Sequence, residues 1–321
     1  MWLFREKSII ECSHIKRLTK EELIVFMDRQ NAPIPEYTTY PRKLEKYRWF
    51  KPLLTALMTF VLFLVLSTLI YVVCYFLQRS DMGFMDYLES LNKQTYESFN
   101  NYSATGVLRS MGMVAILLPS LGLGLLVTKE RSIKTVSSSH GGWNHKLFFI
   151  CLGIGFIVSV IPQFIYIVAT QGFHIEMRFE LLGFLLTLIL WPFQCIAEEY
   201  ICRGFLMQTV SSWTRVPAIG VIISAAVFTA MHPYNGLGRV AIALMGLVLS
   251  FLAWYSFGLE VGSGIHVANN FAAFFFAGIG IDRIQTDVTV GSILITTLPA
   301  IIYTVLMVLL NRKYHWFDKS R

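Results

Sequence analysis

Two adjacent glutamates, Glu198 and Glu199, lie in the stretch CIAEEYICRGFL, inside one of the most apolar parts of the chain. An ionised carboxylate at membrane depth is costly, so it requires a cavity or a partner. On a helix, Glu199 and Arg203 are four residues apart and suited to an ion pair, whereas Glu198 points about 100° away. The spacing predicts one structural glutamate and one that is free for chemistry. The alternative is a helix end at the membrane interface, with all three charges in water.

Two later segments carry polar side chains inside apolar runs. FTAMHP places Phe228 and His232 one helical turn apart, and GIHVANN does the same for His266 and Asn270. A carboxylate and an imidazole can hold and deprotonate a water, and the carboxylic acid can later return the proton to a leaving amine. The second histidine and the asparagine can donate hydrogen bonds to the oxyanion that forms. These side chains are sufficient for hydrolysis of an amide bond.

Other chemistries use the same residues. Glu198, His232 and His266 are acceptable zinc ligands that leave a fourth position for water, although the local HExxH type of zinc site is absent. We expect no cofactor, with zinc as the alternative. Buried carboxylates and histidines also occur in proton relays of transporters. A lone histidine in an apolar span can simply be a packing residue. If all these polar residues only hold the bundle together, the protein would be a membrane scaffold that regulates a partner.

The composition indicates the elements that position these groups. Of the 321 residues, 55% are hydrophobic and 15% charged, and the mean hydropathy is +0.57, which indicates an integral membrane protein. Runs of about 20 apolar residues are long enough to cross a bilayer as helices. We therefore predict an all-α, polytopic transmembrane helix bundle with about eight spans. The expected spans are 52–77, 105–127, 147–170, 180–208, 216–232, 238–257, 261–279 and 290–311.

The distribution of basic residues predicts the orientation. With an even number of spans, the segments on the same side of the membrane as the N-terminus hold 21 of the 27 Lys and Arg residues. The loops on the other side hold five. The positive-inside rule then places both termini in the cytoplasm and explains the net charge of +7 without a nucleic acid partner. We expect a basic cytosolic segment over 1–51, two helices with an outer loop over 52–140, and a functional core over 141–321.

Helix lengths give a rough test of whether the polar groups can meet. Measured from a turn near residues 211–214, Glu198 lies about 20 Å deep and His232 about 27 Å deep, whereas His266 is about 9 Å from its own helix start. Convergence therefore requires helix tilt, a kink at Pro192, or helices that begin outside the hydrocarbon.

At these residues the chain resembles the type II CAAX prenyl endopeptidase and bacteriocin-processing group of intramembrane proteases, also called CPBP or Abi proteins. The group's pattern is EExxxR, FxxxH and HxxxN on successive spans, matched here by the motifs that begin at Glu198, Phe228 and His266. The resemblance covers about residues 145–280. It implies an eight-helix bundle with a cavity reached from the membrane and the cytoplasm.

The resemblance also implies roles for single residues. Glu198 would activate water with His232, while His266 and Asn270 would stabilise the oxyanion and Arg203 would order Glu199. Family members have been described both as zinc and as glutamate proteases, and we favour the metal-free type. The substrate would be a membrane-associated peptide or protein, either lipidated or a leader or signalling peptide. We expect a multi-pass protein of a bacterial plasma membrane.

Overall fold

A computed structural model describes residues 35–78, 82–92, 100–234, 236–282 and 290–317 of the chain. It is 79% helical, and within the described residues it contains no strand. The only pairing of strand type in this part is one bridge between Ser138 and Gly258. The prediction of a polytopic all-α bundle is therefore confirmed.

The described part of the chain contains nine helices of at least nine residues. Their bounds are α1 Lys51–Gln78, α2 Phe84–Asn92, α3 Ala104–Thr128, α4 His145–Gln171, α5 Leu181–Thr214, α6 Pro217–Ala230, α7 Gly236–Tyr255, α8 Glu260–Gly278 and α9 Val290–Tyr314. A short helix, Ile133–Ser137, lies in the connection between α3 and α4. Each of the eight predicted spans coincides with one helix of this set, and α2 is an addition to them.

Six of the described helices are long and apolar enough to cross a membrane, namely α1, α3, α4, α5, α7 and α9. Helix α6 has only 14 residues, and α8 contains Glu260, His266 and two asparagines. The chain is thus a multi-pass membrane protein. The count of eight spans and the cytoplasmic termini stay predictions.

The first helix shows how these sequences pack in a bilayer. The buried residues of α1 are small or polar, whereas its leucines and phenylalanines point outward. Gly124 of α3 lies so close to this face that an added Cβ would come within 2.7 Å of the Thr59 hydroxyl. Because lipid tails are as apolar as leucine, close contact between small residues holds such helices together.

Loop contacts define the two ends of the bundle. At one end, which we call the N-terminal end, Trp213 donates from its indole Nε1 to the carbonyl of Trp49, and the Lys51 ammonium donates to the carbonyl of Lys129. At the opposite end, Glu180 N donates to the carbonyl of Tyr102, and Arg178 N donates to the carbonyl of Gly278. Successive long helices therefore run in alternating directions.

The described residues from Pro35 to Phe317 form one compact unit. The predicted basic segment 1–51 is described only from residue 35, so most of it lies outside the described residues. The predicted boundary near residue 140 falls in the connection between α3 and α4. In this connection, the Ser138 hydroxyl and the Ser139 backbone N–H both donate hydrogen bonds to the carbonyl of Phe257. The division into three parts stays a prediction.

The contact between α4 and α8 can be tested with glycine substitutions. An added Cβ on Gly264 of α8 would lie 2.8 Å from the backbone carbon of Cys151 in α4, while a Cβ on Gly153 of α4 would meet nothing within 4 Å. We expect Gly264→Val to lower the free energy of unfolding by about 1–3 kcal/mol, as overpacking does. Gly153→Val is the control and should unfold near the wild-type temperature in detergent. Equal losses in both variants would contradict this helix contact.

Candidate active site

Glu199 lies at the centre of a buried charge cluster. Its Oε1 accepts a hydrogen bond from Arg203 Nη1 at 3.0 Å and lies 2.7 Å from His266 Nδ1. The expected i, i+4 ion pair is thus present, but it is only part of the arrangement, since Glu199 also holds a histidine from α8. With His266 protonated on both nitrogens, the group of Glu198, Glu199, Arg203 and His266 carries no net charge. A neutral cluster is what a low-dielectric interior favours.

Arg203 is fully buried and bonded on several sides. Its Nη2 donates to the carbonyl of Gly246 at 3.1 Å, and its Nε lies 3.4 Å from the Ser250 hydroxyl. The guanidinium carbon also lies 4.2 Å from the centre of the Phe228 ring. The planar fork of arginine suits this set of partners better than the ammonium of lysine. Arg203 therefore joins α5 to α6 and α7.

Glu198 differs from its neighbour because it reaches the cavity. Its Oε1 accepts a hydrogen bond from Gln194 Nε2 at 2.8 Å, and its Oε2 lies 3.3 Å from His266 Nε2. Glu198 is only 6% exposed, and apart from this contact with His266 its Oε2 accepts no hydrogen bond from the described residues. A buried carboxylate oxygen with unused acceptor capacity can bind a water in the cavity.

His232 lies on the cavity wall just beyond the last residue of α6. Its Nδ1 lies 2.7 Å from the carbonyl of Phe228, which can accept a hydrogen bond only if Nδ1 carries the proton. In the neutral tautomer this leaves Nε2 as an acceptor. The Phe228 ring packs against both His232 and His266, with ring centres 4.6 and 5.7 Å apart. Phe228 therefore orients both histidines of the site.

Asn270 lines the same cavity and connects to the glutamates indirectly. Its Nδ2 lies 3.5 Å from Gln194 Oε1, while Gln194 donates through its Nε2 to Glu198. One turn earlier in α5, Trp191 Nε1 donates to the carbonyl of Val267 in α8. These contacts fix the register between α5 and α8, which sets the distance from Glu198 to His266.

The depths of these groups agree because α8 begins inside the bundle. Leu259 N donates to the carbonyl of Ser137, and an added Cβ on Gly204 would lie 2.6 Å from the Val136 side chain. The start of α8 is therefore level with Gly204 of α5. Glu198 lies six residues before that level and His266 about six residues beyond it, or about 9 Å in each case.

His232 lies at about the same depth in the bundle as Glu198, counted from the ends of their helices. Glu198 precedes the end of α5 by 16 residues, and His232 follows the start of α6 by 15, so both lie about 23 Å from the turn between these helices. The groups thus converge because α8 begins level with Gly204 of α5, and where each helix begins relative to the hydrocarbon stays a prediction. Pro192 lies within α5 without ending it.

A π-helical segment follows the glutamates in α5, from Tyr200 to Met207. Nothing in the sequence analysis predicts it. Such wider turns are rare and occur often at functional sites. Here the segment contains Arg203, which bonds α7, and Gly204, which passes close to Val136.

A cavity of about 620 Å³ adjoins the charge cluster. Its wall includes Glu198, His232, His266 and Asn270, so all four residues proposed for the chemistry face one space. This volume lies within the usual range for pockets that bind small ligands. The wall also has apolar parts, for example Met245 and Phe274.

The zinc alternative fits this arrangement poorly. Both ring nitrogens of His266 face glutamate oxygens, one on Glu199 and one on Glu198. Within the described part of the chain, no three His, Cys, Asp or Glu side chains are grouped as metal ligands. The expectation that the protein needs no cofactor stays a prediction.

Gln194 is the site residue that the sequence analysis missed. It is 6% exposed and bonds Glu198 directly. Its signal was an amide in the apolar run LILWPFQCIA, four residues before Glu198 and therefore on the same helix face.

The chain is a helical multi-pass membrane protein with a buried cluster of glutamates and histidine at an internal cavity. Residues 180–272 match the family described as Type II CAAX prenyl endopeptidase Rce1-like. This confirms the resemblance to the CPBP group that the three motifs indicated. The family is a peptidase family, so the match supports a protease of the CAAX type.

One relative matches the chain over more residues than the family does. The uncharacterized protein YyaK of Bacillus subtilis (strain 168) is 26% identical over an alignment of 165 residues that covers 48% of this chain. The chain covers 55% of that relative, or about half its length. No solved structure matches the chain significantly.

The buried cluster predicts unequal effects of two substitutions at Arg203. Arg203→Met leaves the buried negative charge of Glu199 without its main partner, and breaking such a pair typically lowers stability by about 3–5 kcal/mol. Arg203→Lys keeps the charge but loses part of the hydrogen-bond fork, so we expect a smaller loss. Thermal unfolding in detergent would measure both. The prediction fails if the methionine variant is as stable as the lysine variant.

Proposed function

We propose that this protein is an intramembrane endopeptidase that hydrolyses a peptide bond with a water activated by Glu198 and His232. The observation that carries the proposal is the Glu198 carboxylate. The residue lines the cavity and its Oε1 is oriented by Gln194, while its buried Oε2 has only His266 Nε2, at 3.3 Å, as a polar neighbour and accepts no hydrogen bond from the described residues. A general base requires such an oxygen next to a space that holds water and substrate.

The attack step uses both residues. A water bound between Glu198 Oε2 and His232 Nε2 gives its proton to the carboxylate as its oxygen attacks the carbonyl carbon. The electron pair of the C=O bond moves to the carbonyl oxygen, which becomes an oxyanion. General-base assistance of this kind contributes about 10²- to 10⁴-fold.

His266 and Asn270 are the proposed donors to that oxyanion. His266 Nε2 lies beside Glu198, and Asn270 Nδ2 lies beside Gln194, so both donors flank the base. Removal of one such donor lowers kcat by about 10²- to 10³-fold in enzymes that have been studied this way. Glu199 and Arg203 hold His266 in position and do not contact the reacting atoms.

The second step reverses the proton transfer. The oxyanion reforms the C=O bond, the C–N bond breaks, and Glu198 gives its proton to the leaving nitrogen. The products are a carboxylic acid and an amine, and the site regains its starting charge. The substrate class is a peptide or protein associated with the bilayer, and the cell membrane is that of a bacterium, as for the Bacillus relative.

A Glu198→Gln variant tests the proposal. Glutamine keeps the hydrogen bond from Gln194 but cannot take a proton, so we expect peptide cleavage to fall at least about 10²-fold with little change in thermal stability. New peptide termini in membranes of expressing cells, identified by mass spectrometry, would report cleavage. Glu180→Gln, at the exposed start of α5, is the matched control and should remain active. Full activity of Glu198→Gln would instead favour the hypothesis that the protein is a regulatory membrane scaffold.

Metal removal tests the metal-free mechanism. Because both His266 nitrogens face carboxylates, we expect cleavage to persist after treatment with a zinc chelator. Purified protein should contain substoichiometric zinc by mass spectrometry. Loss of cleavage on chelation, with recovery when zinc is added back, would support the ligand set Glu198, His232 and His266 instead.

A further inference from the structure

The connection between α3 and α4 closes the site toward the N-terminal end of the bundle. Tyr200, which follows Glu199 directly, has its hydroxyl 2.6 Å from that of Ser137. The Trp143 ring stacks on Tyr200 with ring centres 5.9 Å apart, and Val136 meets Gly204. Val136, Ser137 and Tyr200 are all buried. A polypeptide that approached from this end would meet a packed layer one helical turn from Glu199.

The cavity extends the other way. From α8 its wall takes residues between His266 and Phe274, and from α4 residues between Gln163 and Gln171. Both ranges run about 12 Å toward the opposite end of the bundle. The wall continues in the loops of that end, where Asp282 follows α8 and Tyr234 follows α6.

The described part of the protein does not cover the cavity at that end. Thr170 and Gln171, in the last turn of α4, are exposed, and so is Ala273 of α8. The lining described for this cavity contains no lysine or arginine, although it contains Glu198 and Asp282. The open end of the cavity is therefore polar to acidic.

Charge distribution assigns a side of the membrane to each end. Residues 35–51 and 128–146, which meet at the N-terminal end, contain nine of the Lys and Arg residues of the chain. The loops of the opposite end are poor in them. By the positive-inside rule the closed end is cytoplasmic and the open end faces away from the cytoplasm.

We propose that the substrate enters this cavity from the extracytoplasmic side, so that the enzyme cleaves polypeptides presented at the outer face of the membrane. This inference rests on the proposed function and adds the side from which its substrate comes. It differs from the cytoplasmic access that the family resemblance implied. It follows from the packed layer at Tyr200 and from the direction of the cavity.

Cysteine labelling tests the side of access without requiring activity. The four described cysteines are buried, so a Cys12→Ser chain gives a background in which one new cysteine can be read. Thr170→Cys and His145→Cys form a matched pair at the two ends of α4, and both positions are exposed. A membrane-impermeant maleimide should label Thr170→Cys in intact cells and His145→Cys only in inverted vesicles. Labelling of Thr170→Cys only in inverted vesicles would overturn the proposal.

A second measurement connects access to the reaction. Ala273→Cys places a thiol on the cavity wall, and an impermeant, bulky thiol reagent added to intact cells should lower cleavage at least tenfold. The same reagent should leave the chain without a new cysteine unaffected. If cleavage continues in fully labelled Ala273→Cys cells, substrate does not pass this wall and the proposal fails.

The two proposals fail in different ways. Absence of any cleavage that depends on Glu198 would remove the proteolytic function, while the labelling would still show which side the cavity faces. Glu198-dependent cleavage combined with the reverse labelling pattern would keep the protease and reject extracytoplasmic access.

Discussion

Glu199 contacts both Arg203 and His266, and this double contact holds three helices at the positions that the site requires. Four ionisable side chains lie together at membrane depth, where an isolated charge is strongly unfavourable. They can remain there because each faces an opposite charge or a hydrogen-bond partner, down to the carbonyl of Gly246 and the ring of Phe228. Loss of any one partner would leave a charge that the apolar surroundings cannot solvate.

This constraint explains features that are otherwise unusual in a bundle of membrane helices. Helix α8 begins inside the protein, because His266 must be level with Glu199 while Gly258 and Leu259 remain bonded to the connection between α3 and α4. The π-helical turn of α5 contains both Arg203 and Gly204, which contact different neighbours. Backbone irregularity at membrane depth is tolerated where it is buried in protein.

The same packing makes the site asymmetric. Tyr200, Trp143 and Val136 fill the space on one side of the glutamates, whereas the other side is a cavity lined by polar side chains such as Gln163 and Asn269. Glu199 is enclosed by protein and Glu198 faces the cavity. Two chemically identical neighbours thus have different surroundings because a helix turns about 100° between them, and the proposed catalytic role falls to the one at the cavity.

The amino-acid sequence alone predicted the class of fold, the positions of eight of the helices, and the residues of the three motifs. It could do so because apolar runs and helical spacing are local properties that do not depend on distant contacts. The i, i+4 spacing of Glu199 and Arg203 likewise led directly to their ion pair. The contact of His266 with Glu199, the orientation of Glu198 by Gln194, and the start of α8 level with Gly204 became known from the folded chain. The same is true of the direction of the cavity. These features arise from contacts between helices far apart in the chain, and the depth and rotation of each helix follow from packing against all its neighbours.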